Sequence, residues 1–260
     1  RAYLVDTWRH RDLIRELALA RNTAQYSDSL LGRVWQVVTP ILNAGIYYVI
    51  FGVLLGTKRG IENYSAFLIA GVFAFNYMQT AITASEACIP RNEKLIQAFR
   101  FPKLVLPLAT ALQQAQQYLV SLGVLAVAVL LTGEPITVMW LLLPLVILLQ
   151  TMFVLGVSLA MARIGAKARD LSQLLPFFTR TWRYMSGVFF SIAVFADRLP
   201  NWGEALLTYN PGAVYIDLVR DTVMVSHDMP ASIWVAGVAW ALVALALGLR
   251  WFYRGERGYV

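Results

Sequence analysis

Charged residues are absent from five long stretches of the chain, 34–57, 63–85, 104–133, 135–162 and 229–249, and collect in the segments between them. A helix rises ~1.5 Å per residue, so about 20 apolar residues cross ~30 Å of hydrocarbon. All five stretches are long enough, and the pattern predicts membrane-spanning helices. A further stretch, 171–196, is apolar but interrupted by Arg180 and Arg183. The expected fold is all-α: a polytopic membrane domain, 34–252, with six spans at about 34–57, 63–85, 104–133, 135–162, 171–196 and 229–252, followed by a tail, 253–260.

The intervening segments are unequal. In residues 1–33, Leu4, Trp8, Leu13, Ile14 and Leu17 recur near helical spacing among Arg11, Arg15 and Arg21. This predicts an amphipathic helix in the membrane interface, with Trp8 and Trp35 at headgroup depth; an ordinary solvated helix is the other reading. Only two connections are long. In 86–103, Pro90 can open a short helix and Pro102 ends it. The segment 197–228 contains the apolar pieces ALLTY and AVYIDLV. It reads as external re-entrant half-helices, which hydrogen bonding permits only against protein or water, or as a plain external loop.

Composition agrees. The 260 residues are 58% hydrophobic and 14% charged with mean hydropathy +0.59, leaving little room for a separate soluble domain. The net charge of +7 would fit a nucleic-acid partner only if it were clustered for one. With the N-terminus inside, sixteen of the 22 basic residues fall in cytoplasmic segments; Lys58, Arg59, Arg198 and Arg220 fall outside, and Arg180 and Arg183 lie in a span. That is the positive-inside distribution. It places both termini in the cytoplasm of a multi-pass plasma-membrane protein, with lipid and not nucleic acid as its surroundings. Cys88 is the only cysteine, so one chain can build neither a disulfide framework nor a cysteine metal site, and the residue reads as a small buried one. The absence of an initiator Met and of a signal-peptide pattern at Arg1 implies a short native N-terminus before it. Arginine outnumbers lysine 18 to 4, a bias of GC-rich bacterial genomes.

No P-loop, G-x-S-x-G or H-E-x-x-H pattern occurs, and His10 and His227 belong to opposite compartments. The expectation is no catalytic centre, metal site or cofactor in this chain. A membrane domain with a structured cytoplasmic loop and no energy source of its own fits a transporter driven by a partner. Arg180 and Arg183 stand near mid-membrane, ten and thirteen residues beyond Asp170. A central arginine costs ~2.5–3.5 kcal/mol on insertion scales, so each must face protein, water or an anion. At i and i+3 they share a face. They meet an anionic part of a substrate, or they snorkel and bond carbonyls. Gln113, Gln114, Gln116 and Gln117 form a second polar cluster, bonding between helices or touching substrate. The span aromatics, Tyr47, Tyr48, Phe51, Phe73, Phe75, Tyr77, Trp182, Phe189 and Phe190, serve packing and anchoring or stack on sugar rings.

The order of several motifs resembles the permease subunits of ABC exporters for bacterial cell-surface polysaccharides: O-antigen, capsule and teichoic acid. The first carries Arg15, Glu16, Leu17, Arg21, Tyr26, Ser29, Leu31, Gly32, Trp35 and Pro40. The cytoplasmic loop matches with Asn92, Leu95, Ile96, Phe101, Pro102 and Pro107, and Arg169-Asp170-Leu171, Asn210-Pro211 and Arg220 follow. The family usually flanks the tyrosine with basic residues; here the run is Gln25-Tyr26-Ser27-Asp28.

The resemblance implies a homodimer bound to two ATP-binding cassette subunits, which hold the ATP and Mg, exporting a polyprenyl-pyrophosphate-linked polysaccharide. Spans one and five would line a channel through Tyr47, Tyr48, Phe51, Arg180, Trp182, Arg183, Phe189 and Phe190. Arg91, Asn92, Glu93, Lys94, Leu95 and Ile96 would receive the ATPase stroke. Asn210, Pro211, Tyr215 and Arg220 would belong to the external gate. The GC bias makes an actinobacterial galactan one candidate cargo. A drug- or lipid-exporting ABC permease is the runner-up. A polyprenyl-lipid glycosyl- or phosphotransferase is more remote, because it needs a D-x-D-type ligand set that the sequence lacks. A secondary transporter would show an inverted repeat, and 34–133 and 135–252 have no convincing similarity.

Overall fold

The computed structural model describes residues 2–27, 31–54, 61–99, 101–168, 170–192 and 200–255. Asp28, Ser29, Lys58, Arg59, Arg169, Arg198, the end of the expected span 171–196 and the tail from 256 lie outside the described residues. All regular structure among the described residues is helical. The N-terminal segment forms α1 (Ala2–Arg9) and α2 (Arg11–Ser27). Then come α3 (Trp35–Tyr47), α4 (Tyr64–Glu86), α5 (Glu93–Ala98), α6 (Val105–Leu131) and α7 (Leu143–Lys167). The last four are α8 (Leu171–Met185), α9 (Asn201–Thr208), α10 (Pro211–Val223) and α11 (Ala231–Gly255).

Among the described residues, four helices are long and apolar enough to cross a membrane: α4, α6, α7 with its preceding 3-10 turn, and α11. The helix α4 is the axis of the bundle. It buries 72% of its most apolar window, against 22–28% for the other three. Its small residues Ala66, Ala70, Gly71, Ala74 and Ala81 let α6, α7, α8 and α10 close around it. Without a hydrophobic drive between helices in lipid, close packing and hydrogen bonds must hold the bundle.

Two contacts show how. Gly156 and Ala160 of α7 face Ala244 and Gly248 of α11, and a methyl group on either glycine would land on the other helix's backbone. These helices run parallel, since Arg163 further along α7 donates to the carbonyl of Trp251 further along α11. Gln150, fully buried on α7, donates to the Ala74 carbonyl at 3.0 Å and accepts from the Tyr118 hydroxyl at 3.0 Å, joining α4, α6 and α7. The Tyr118 ring stacks on Tyr77 at 4.3 Å.

Two of the expected spans are interrupted. The first, 34–57, is α-helical to Tyr47 with Pro40 inside, then opens into a π-helical segment, Tyr48–Leu54. The stretch 171–196 is helical only to Met185, because Gly187 at φ +64° turns the chain. Fifteen residues rise ~22 Å, short of the ~30 Å core. Among the described residues of 197–228 the chain forms two short helices, α9 and α10.

Candidate functional site

The two span arginines part company. Arg183 is half-buried: its Nη1 donates to the Tyr47 hydroxyl at 2.7 Å, and its Nη2 donates to Asn76 Oδ1 at 2.7 Å and to Gln79 Oε1. The guanidinium also lies 5.4 Å from the Phe75 ring centroid and 5.8 Å from that of Tyr47. Arg183 thus ties α8 to α3 and α4 through neutral partners. Arg180 is exposed on α8, beside exposed Phe177, Phe178, Thr181 and Tyr184. The spacing of three leaves the pair about 60° apart around the helix, enough to send one inward and one outward. Neither forms a salt bridge among the described residues.

The aromatic residues expected to line a channel mostly pack on one another. Phe189 is fully buried, stacked on Phe51 at 4.2 Å and tilted against Tyr47 at 5.0 Å and Tyr184 at 5.4 Å. Trp182 sits edge-on to Phe75 at 5.2 Å and donates from Nε1 to Asn210 Oδ1 at 3.2 Å. Tyr48 and Phe190 are half-buried against the same core. This cluster joins the π-helical end of α3 to the break after α8.

The residues expected at the gate form a frame. Asn210 caps α10: its Oδ1 accepts from the Ala213 N–H, Trp182 Nε1 and Ser186 Oγ, and its Nδ2 donates to the carbonyls of Met185 and Leu207. Pro211 takes the first helical position, where a missing N–H costs nothing. Tyr215 is fully buried and donates to the Gly237 carbonyl at 2.9 Å. Arg220, also buried, reaches the carbonyls of Phe67, Gly187 and Val188 at 3.0–3.1 Å and pairs with Asp217 at 3.2 Å. Its guanidinium lies 3.3 Å from the Phe67 ring centroid. A single side chain therefore holds α10, α4 and the post-α8 turn together.

On the opposite side, the segment at 90–98 divides by exposure. Arg91, Glu93, Lys94 and Phe99 are exposed, whereas Leu95 and Ile96 pack onto the apolar cluster of Cys88, Ile89, Leu104, Leu106, Leu159 and Phe252. Asn92 is turned inward: it donates to the Cys88 carbonyl at 2.7 Å and accepts from Arg21 at 3.3 Å. Arg21 also donates to Thr110 at 2.8 Å. The short helix is thereby linked to α2 and α6. Burial pushes the Cys88 thiol up to about 12.

The glutamine cluster bonds between helices. Asn22 of α2 donates to Gln116 at 2.6 Å and accepts from Gln117 at 3.0 Å, while Gln25 accepts from Gln117 at 2.8 Å and Gln113 at 3.4 Å. The amphipathic α2 is docked on α6 by amides, with Trp8 of α1 left exposed. Sequence reasoning missed Gln150 and the two small-residue pairs. The G-x-x-x-A at Gly156 and A-x-x-x-G at Ala244 were readable signals.

Known proteins share this sequence over most of its length. Over 234 residues the chain is 27% identical to the O-antigen export system permease protein RfbA of Klebsiella pneumoniae, covering 88% of each protein. A second Klebsiella pneumoniae protein of that name is 25% identical over the same coverage. The Myxococcus xanthus RfbA is 24% identical over 246 residues, 95% of this chain and 91% of that protein. Residues 13–224 match the ABC-2 type transporter membrane model, a range that begins in α2 and takes in α5, the Arg183 network and both half-helices. The chain belongs to the ABC-2 type transporter family.

Proposed function

We propose that this chain is the membrane-spanning permease subunit of an ATP-driven exporter, moving a lipid-linked polysaccharide from the cytoplasm across the bacterial inner membrane. The observation that carries this is its similarity over nearly its full length to permeases named for O-antigen export. ATP and Mg belong to a separate partner subunit, two copies of which serve two copies of this chain. Both termini face the cytoplasm.

The division of exposure supports a division of labour. The charged face of α5 and the exposed Phe99 suit docking on a soluble ATPase, and Leu95 and Ile96 root that face in the membrane domain. A push on α5 passes through Asn92 and Arg21 to α2 and α6. ATP drives the channel to the extent that these contacts differ between two states. The exposed face of α8 sets Arg180 among aromatics, and because a lipid-facing arginine is costly the face suits a channel between two copies. Arg180 there meets the pyrophosphate while Arg183 holds α8 in place.

Deletion of the gene tests the reading. The expected result is lipid-linked glycan accumulating in the cytoplasmic leaflet and loss of the surface polymer, restored by the wild-type chain and not by one with Glu93→Lys and Lys94→Glu. Unchanged surface glycan in the deletion strain would reject it.

A further inference from the structure

Three helices turn polar stripes toward one another inside the bundle. On α3 the stripe is Gln36, Thr39, Pro40 and Asn43; on α4 it is Phe73, Asn76, Tyr77 and Thr80; on α6 it is Gln114, Gln117, Tyr118 and Ser121. Each follows i, i+3, i+4, i+7, the spacing of a single helical face. Between them lies a cavity of about 370 Å³, closed on one side by Gln25 of α2 and Trp35. Its size falls within the ~300–1,000 Å³ of small-ligand sites.

Packing pairs Asn76, Tyr77, Gln117, Tyr118 and Ser121 with other residues and leaves part of the lining unpaired. Gln114 is only 8% exposed, lines the cavity and has no hydrogen-bond partner among the described residues; the half-buried Gln36 and Asn43 also line it without one there. None of the three amides is sealed away from the cavity, and together they present donors and acceptors to a guest that can pair with them. Among the described residues the lining contains no charged side chain, which gives an ion no counter-charge. Many amides and hydroxyls make it a poor host for an acyl chain. Amides and hydroxyls donate and accept at once, and the Trp35, Phe73 and Tyr118 rings supply apolar walls. Hydrogen-bonding groups of both senses beside aromatic faces match a ring that carries hydroxyls on its rim and C–H bonds on its faces.

We propose that this cavity binds a neutral sugar unit of the exported glycan, at a site within each copy of the chain and apart from the exposed face of α8. This rests on the exporter reading above. Asn76 belongs to both the cavity and the Arg183 network, so an occupied cavity is one hydrogen bond from the side chain that fixes α8. Sugar binding thereby bears on the position of the helix that carries Arg180.

The test places a photoreactive benzophenone amino acid at Gln36 in cells exporting the polymer, and for comparison at Leu247, which is exposed on α11. The purified chain is then stained for periodate-oxidisable glycan. The expected result is a glycan adduct from position 36 and none from 247, with the adduct reduced at least tenfold by Gln114→Leu or Asn43→Leu. Both variants should lower surface glycan similarly while still co-purifying with the ATPase subunit, and Gln114→Asn should restore part of the signal. An exporting complex that yields no adduct at 36, or adducts of phospholipid only, overturns the sugar site and leaves the exporter reading intact. Surface glycan that persists without the chain overturns both.

Discussion

Replacing Arg220 with methionine should loosen the external half-helices more than any other single change in them. Methionine fills much of the same volume, so the loss is chiefly electrostatic. Three carbonyls, of Phe67, Gly187 and Val188, lose their donor, Asp217 loses its arginine and keeps only His227, and the Phe67 ring loses its cation. Each buried acceptor left unpaired costs ~1–3 kcal/mol, and breaking a buried charge pair from one side costs ~3–5 kcal/mol. The contributions share one side chain and do not add, so a net loss of about 4 kcal/mol is reasonable. At ~2–4 °C per kcal/mol this lowers the Tm by about 12 °C, measured by intrinsic fluorescence in detergent. Lysine keeps the charge but not the fan of donors, and should fall between the two. The packing supplies a sharper check. A methyl group on Gly71 would collide with the Arg220 guanidinium and press more lightly on the Val188 carbonyl, so Gly71→Ala should destabilise the native chain and cost markedly less in the Arg220→Met background. An Arg220→Met variant within about 2 °C of wild type, or additive effects of the two changes, would refute the reasoning.

Arg180→Ala should cut export with little change in Tm, whereas Arg183→Ala should lower both, because only Arg183 bonds to α3 and α4; equal Tm losses would contradict their separation. Cys88, with its thiol pushed up to about 12, holds ~10⁻⁴ of its population as thiolate at pH 8, so maleimide labelling of the native protein should run about 10³-fold slower than for a free thiol. The labelling rate should climb with pH toward 12, and rapid labelling at pH 8 would contradict the burial. Gly156→Leu or Gly248→Leu should push α7 and α11 apart, at or beyond the upper end of the ~1–3 kcal/mol typical of overpacking, read as reduced folded yield in detergent. Tolerance of both would disprove the close crossing.

What could be read from the sequence depended on whether its cause was local. The four uninterrupted spans follow from runs without charge, since lipid penalises every exception. Asn210-Pro211, read above only as part of a family motif, also carries a local helix-start signal, since a cap and a proline act within one turn. The break after α8 was not, because the residues that make Gly187's turn worthwhile, Phe67 and Arg220, lie far away in the chain. The roles of Arg180 and Arg183 were hidden for the same reason: Tyr47, Asn76 and Gln79 select Arg183 from a distance. The glutamine cluster was visible as a group, but its division was not. Gln113, Gln116 and Gln117 bond to α2, and Gln114 lines the cavity without a partner among the described residues, with Gln117 at its edge. Tyr215 and Arg220, expected at the gate, are buried, and an arginine counted as external gave no sign of its carbonyl partners.

If this chain passes a lipid-linked glycan through the membrane when a partner subunit hydrolyses ATP, the passage can be measured directly. Inverted membrane vesicles containing the chain and its ATPase are loaded on their outer leaflet with radiolabelled lipid-linked glycan. Label should become protected from an added glycosidase only with ATP and Mg, and should remain accessible when the ATPase cannot hydrolyse ATP. Protection without ATP, or none with the full complex, would contradict export by this chain.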